Sequence, residues 1–159
     1  PDTVWHCSND PLAISPGESP CLSAFSLELD GGNDRAQWNA NEDHLLGSAR
    51  ESFTLSSWWR MGDDPNNELQ FIWEEGDASI GWNVHLDGDS LRAGWWNEGD
   101  SSAWMSAAYP AENFLEWTHM AVVGDVGVET LTLYVNHVAL GSAEWYGLDA
   151  HPGTAVLGA

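Results

Sequence analysis

The chain has 159 residues, about the length of one domain, and can bury roughly 70% of the surface its unfolded form exposes. Its 25 acidic residues against four basic ones give a net charge of −21, which excludes nucleic acid and anionic lipid as partners, since Lys and Arg must neutralise their phosphates. Eleven Trp exclude a disordered chain, and Asp125 interrupts the apolar run from Met120 to Val128 well short of a membrane span, so no membrane insertion is expected.

Residues 1–23 read as an irregular arm. Pro1, Pro11, Pro16 and Pro20, together with Gly17, leave little room for regular structure. Cys7 and Cys21 read as one disulfide made in an oxidising compartment, closing a loop of about 15 residues and contributing about 3 kcal/mol. Two unrelated free thiols are the alternative. Pro1 opens a polar segment, as expected of a mature secreted chain or of a domain from a longer protein.

From Ala24 onward, short runs with period-two alternation are separated by Gly, Asp, Asn and Pro clusters. This pattern predicts an all-β, two-sheet antiparallel jelly-roll sandwich over 24–159. Strands are expected near 24–29, 34–38, 53–60, 68–74, 80–86, 90–96, 103–108, 117–124, 130–135, 137–143 and 154–158. Residues 41–50 have room for one helical turn. Within Leu86–Ser90, Asp87-Gly88 predicts a tight hairpin turn, because Gly accepts positive φ without steric cost. The acidic stretches Trp73–Ser79 and Trp96–Ser102 echo each other, and two hairpins of a meander would place them at one end of a sheet.

Five segments carry a family resemblance. Ala24–Asp34 (AFSLELDGGND) resembles the opening strand and turn of laminin-G-like domains, in the concanavalin A-like superfamily, and Phe53–Arg60 (FTLSSWWR) resembles their next strand. Glu116–Asp125 and Leu131–Asn136 are similar to a later strand pair, and Val156–Ala159 to the strand that follows. The resemblance implies a jelly roll. It places His119 at a position that is mostly structural in the family, hydrogen-bonded within the sandwich. Two departures are visible: Asn136-His137 stands where the family has Asn-Gly, and the usual closing strand is not found before Ala159. Asn and His both tolerate positive φ, so the turn is expected to survive.

Hydrolysis by a paired-carboxylate mechanism needs acid and nucleophile in one cleft about 5 Å apart. Glu74, Glu75 and Asp77 flank Gly76 and read as a loop, while Glu28 and Asp30 alternate correctly without a third acidic partner. No Gly-x-Ser-x-Gly elbow and no zinc-type His or Cys spacing occurs, so no enzyme is expected. Calcium is the candidate cofactor. It takes six to eight oxygens from irregular acidic loops, and Asp30, Asn33 and Asp34 in one loop with Asp63 and Asp64 in another are the candidate ligands. The competing reading is that these residues simply make turns.

Alternation separates core-facing from outward residues along each strand. Ile80, Trp82, Val84 and Leu86 share one face, leaving Gly81, Asn83 and His85 on the other. Leu91, Ala93 and Trp95 leave Arg92, Gly94 and Trp96 outward, and Phe53, Leu55 and Trp59 leave Trp58 outward. Indoles cover the apolar face of a sugar ring while amide, imidazole and guanidinium groups reach its hydroxyls. Trp58, Asn83, His85, Arg92 and Trp96 are therefore the candidate ligand-binding residues. Aromatics and Arg are equally typical of protein interfaces. The expected function is a non-catalytic, secreted or cell-surface domain binding carbohydrate or another extracellular ligand. The alternative is a structural subunit of a filament, matrix or surface layer, in which the arm, through Thr3-Val4-Trp5, adds a strand to another copy of the chain.

Overall fold

Among the described residues, period-two alternation is realised as ten strands in two antiparallel sheets. The computed structural model describes residues 35–39, 47–61, 69–98 and 101–158. In chain order the strands are β1 (Ala36–Asn39), β2 (Ser52–Trp59), β3 (Leu69–Gly76), β4 (Gly81–Asp87), β5 (Ser90–Asn97), β6 (Ser101–Ala108), β7 (Thr118–Asp125), β8 (Thr130–Val135), β9 (Val138–Glu144) and β10 (Thr154–Leu157). One sheet has the order β1-β10-β3-β4-β5-β6 and the other β2-β7-β8-β9. This is the jelly-roll sandwich expected from the alternation.

The inward phase of each strand builds one core. Trp82, Val84, Leu86, Leu91, Ala93, Trp95 and Met105 from the first sheet meet Met120, Val122, Leu131, Leu133 and Val135 from the second. Indoles close one end. Phe53 packs between Trp82 and Trp145, and Trp145 meets Trp95 edge-on with centroids 5.6 Å apart. A buried indole N–H needs an acceptor. Trp95 Nε1 donates to the Glu144 carbonyl at 2.6 Å and Trp145 Nε1 to the Glu51 carbonyl at 2.8 Å.

Turn chemistry holds where it was signalled. Asp87 pairs with Ser90 across Gly88-Asp89, with Gly88 at φ 56°. Val135 pairs with Val138 across Asn136-His137, whose φ values of 47° and 63° are both left-handed. That geometry matches the two-residue hairpin turn for which Asn-Gly is the usual choice. In the meander order the β3–β4 and β5–β6 connections leave the same end of the sheet, as the echo predicts, and Trp96 Nε1 on β5 donates to the Asp77 carbonyl of the β3–β4 loop at 2.8 Å.

Several expectations need correction. Glu74 and Glu75 lie inside β3 rather than in a loop, because β3 continues to Gly76 in register with Gly81. Glu75 is fully buried and faces the core. Its carboxylate accepts from Arg50 Nη1 at 2.9 Å, from Arg50 Nη2, from Trp82 Nε1 at 3.1 Å and from the Gly47 amide at 3.3 Å. His151 Nε2 stands 3.5 Å from it. In 47–50 there is no helical turn: Arg50 bridges Leu148 as an isolated antiparallel pair, and 41–46 lie outside the described residues. A 3-10 helix, Ala111–Leu115, follows Pro110 where no element was expected. The backbone of His119 is hydrogen-bonded within the sandwich, its amide donating to Asn136 Oδ1 at 3.1 Å, but its ring has no hydrogen bond among the described residues. His119 sits between the buried Thr118 and Met120, so alternation turns its ring outward, against Trp58 at 5.2 Å between centroids. The arm, Cys7, Cys21 and the expected strand at 24–29 lie outside the described residues.

Candidate functional site

The outward phase of the six-stranded sheet forms cross-strand rows. One runs Val156, Glu74, Asn83, Gly94, Trp104 across β10, β3, β4, β5 and β6. Beside it run Phe71, His85, Arg92, Ser106 and, on the other side, Thr154, Gly76, Gly81, Trp96, Ser102. Four of the five expected ligand residues, Asn83, His85, Arg92 and Trp96, therefore share this face.

Two glycines shape it. A Cβ on Gly94 would lie 2.2–2.8 Å from three carbons of the Trp104 ring. A Cβ on Gly81 would lie 2.5 and 3.0 Å from Cζ2 and Cε2 of Trp96. Each indole thus occupies the space that a side chain on the neighbouring strand would fill, which only Gly permits. The two rings are parallel to within 6° with centroids 6.1 Å apart. Trp104 remains 48% exposed. Phe71 and Trp104 flank His85 on its two sides, at 5.4 and 6.0 Å between centroids.

Polar groups fill the spaces between the rings. His85 and Asn83 are buried, with His85 Nδ1 2.9 Å from Asn83 Oδ1. Burial lowers the His85 pKa below the ordinary imidazole value, the Arg92 charge adds to this, and Asp87 opposes it. His85 is consequently neutral at pH 7. With Nδ1–H assigned as donor to Asn83, its Nε2 is left as an acceptor. Arg92 Nη2 pairs with Asp87 Oδ2 at 2.9 Å, and both side chains are about two-fifths exposed. Arg92 Nε is buried and has no hydrogen-bond partner among the described residues.

Trp58 does not join this site. It lies 62% exposed on β2, outward on the four-stranded sheet, with His119 as its ring neighbour. Trp104 is the residue that the sequence reading missed. Its signal is its phase: in Ser101–Ala108, Met105 is buried and the ring of Trp104 falls among the outward Ser positions. The calcium candidates Asp30, Asn33, Asp34, Asp63 and Asp64 all lie outside the described residues, as does the strand-donating arm. Among the described residues, no group of three His, Cys, Asp or Glu side chains could hold a metal ion. No helix among them is long and apolar enough to cross a membrane.

Comparison with known proteins places the chain. Residues 30–158 match a laminin-G-like family described as the concanavalin A-like lectin/glucanases superfamily, and the chain belongs to it. No curated protein sequence matches. Among solved structures, the binding domain of botulinum neurotoxin serotype D is similar over 79% of this chain and 32% of its own, at 15% identity and a TM-score of 0.63. A botulinum neurotoxin type C structure, whose cell entry depends on two ganglioside molecules, is similar over 78% of this chain and 31% of its own, at 18% identity and a TM-score of 0.62. The binding domain of botulinum neurotoxin DC in complex with SialylT is similar over 77% of this chain and 30% of its own, at 16% identity and a TM-score of 0.61. The chain spans about a third of the length of each of these structures. At such identities the likeness is one of fold.

Proposed function

We propose that this domain is a non-catalytic extracellular recognition module that binds carbohydrate on the outward face of its six-stranded sheet. The observation that carries the reading is the parallel Trp96–Trp104 pair laid over Gly81 and Gly94 beside Asn83, His85 and Arg92. Flat indoles match the apolar faces of sugar rings, and the neighbouring groups supply donors and acceptors for hydroxyls. Receptor and ganglioside recognition by similarly folded toxin domains supports a surface-recognition role at the level of fold. The non-catalytic reading is supported by Glu75, which alternation turns into the core and Arg50 seals, leaving Glu74 between Val156 and Asn83 with no carboxylate beside it in its row among the described residues.

The test is a glycan array followed by calorimetric titration of the best ligand. Trp104→Ala is expected to weaken binding about tenfold, equivalent to about 1.4 kcal/mol. Trp58→Ala, on the other sheet, should leave it unchanged. Binding that disappears with Trp58 and survives loss of Trp104 would falsify this placement of the site.

A further inference from the structure

We infer that the ligand of this face is an uncharged oligosaccharide and that the face discriminates against sialylated and sulfated glycans. The inference rests on the carbohydrate reading above and adds the charge class. It follows from the hydrogen-bonding groups and their pairing. A sugar hydroxyl both donates and accepts, whereas a carboxylate or sulfate only accepts and brings a negative charge. The face offers both functions: the half-exposed Arg92 guanidinium as a donor, and the Glu74 carboxylate and His85 Nε2 as acceptors.

An anion-binding face would need uncompensated positive charge, and this one has little. Asp87 holds the Arg92 guanidinium at 2.9 Å, so the pair is neutral to a ligand beyond it. Glu74 stands in the central row beside Asn83, next to where a ligand on the rings would extend. His85 contributes a lone pair instead of a cation. Arg35 precedes β1, the edge strand at the opposite side of the sheet from β5 and β6. Behind these local terms stands the net charge of −21, which repels anionic ligands at long range. The parallel rings also present two surfaces, which suits consecutive sugar units better than a single one.

The experiment is an array carrying each oligosaccharide core in neutral, sialylated and sulfated form, probed with the wild-type chain, Trp104→Ala and Asp87→Asn. Neutral forms should bind at least roughly threefold more tightly, the repulsion of two unit charges about 6 Å apart in a water-like dielectric. The preference should shrink as ionic strength rises. Asp87→Asn frees Arg92 and should narrow it further, with the carbohydrate core still bound. Binding that depends on Trp104 yet favours the sialylated or sulfated forms overturns the charge assignment and leaves the carbohydrate site standing. An Asp87→Asn variant with the wild-type preference overturns the role of the Arg92–Asp87 pair. Absence of binding to every glycan, or binding indifferent to Trp104, overturns the carbohydrate reading itself.

Discussion

Replacing Gly94 by Ala tests whether the indole platform depends on glycine. The added Cβ would stand 2.2 Å from Cε3, 2.3 Å from Cδ2 and 2.8 Å from Cζ3 of Trp104. Carbon atoms in contact prefer about 3.5–4.0 Å, so the ring must rise by more than about 1 Å. Trp104 is half-exposed and lies on an edge strand, so the ring should lift while the sheet stays in place. Overpacking costs about 1–3 kcal/mol, offset by the roughly 0.5–1 kcal/mol by which Ala exceeds Gly inside a strand. The expected net loss is about 0–2.5 kcal/mol in urea unfolding, within reach of a domain that stays folded. Binding should suffer more clearly. Losing the parallel ring pair removes about 0.5–1.5 kcal/mol, up to about a tenfold loss of glycan affinity by calorimetry. If Gly94→Ala binds as wild type while Trp104→Ala does not, the ring has no need to lie on the glycine and the reasoning fails. Gly81→Ala serves as contrast. Its Cβ would stand 2.5 Å from the Glu75 carbonyl oxygen, a backbone atom that cannot swing away, so a larger stability loss is expected.

Glu75→Gln should destabilise the fold by about 3–5 kcal/mol, because it leaves the Arg50 guanidinium without its buried counter-charge. Chemical denaturation measures this, and a loss below about 1 kcal/mol would contradict it. Burial pushes the Glu75 carboxyl up, but the nearby His151 ring, hydrogen bonds from Arg50 and Trp82 and the Arg50 charge outweigh it, and the pKa lies below the ordinary 4.5. The sign follows: this contribution is complete above pH 4.5 and is lost as pH falls through the lower folded value, so wild type should lose stability below 4.5 more steeply than Glu75→Gln. At the β8–β9 turn, His137→Gly should relieve a left-handed φ of 63°. The expected gain is about 1 kcal/mol, read as a rise of about 2–4 °C in Tm, and no rise would argue against strain there.

Much of the sandwich is legible in the sequence. Period two along Ile80–Leu86 and Leu91–Trp96 assigns Trp82, Val84, Leu86 and Trp95 inward, and the structure buries all four. Gly88 and Asn136 mark hairpins because few residues tolerate positive φ. Asn83, His85, Arg92 and Trp96 come out on one face because β4 and β5 form a single hairpin, a local relation that alternation and one turn suffice to specify.

What alternation leaves open is which sheet a strand enters and which strand lies beside it. Trp58 and Trp96 have the same outward phase, yet β2 pairs with β7 and β5 with β4 and β6, so the sandwich separates them onto opposite faces. Trp104 becomes part of the site because β6 sets it across from Gly94, a cross-strand fit invisible along one strand. Glu75 has the composition of a surface residue and the position of a core one. Arg50, distant in sequence and adjacent in space, makes its burial tolerable together with Trp82 and the Gly47 amide. The sequence by itself determined the strand rhythm, the turns and the acidity that turns away polyanions, since these depend on each residue and its near neighbours. The tertiary structure decided the two-indole platform and the sealing of Glu75, since both arise from pairings that chain closure alone brings together.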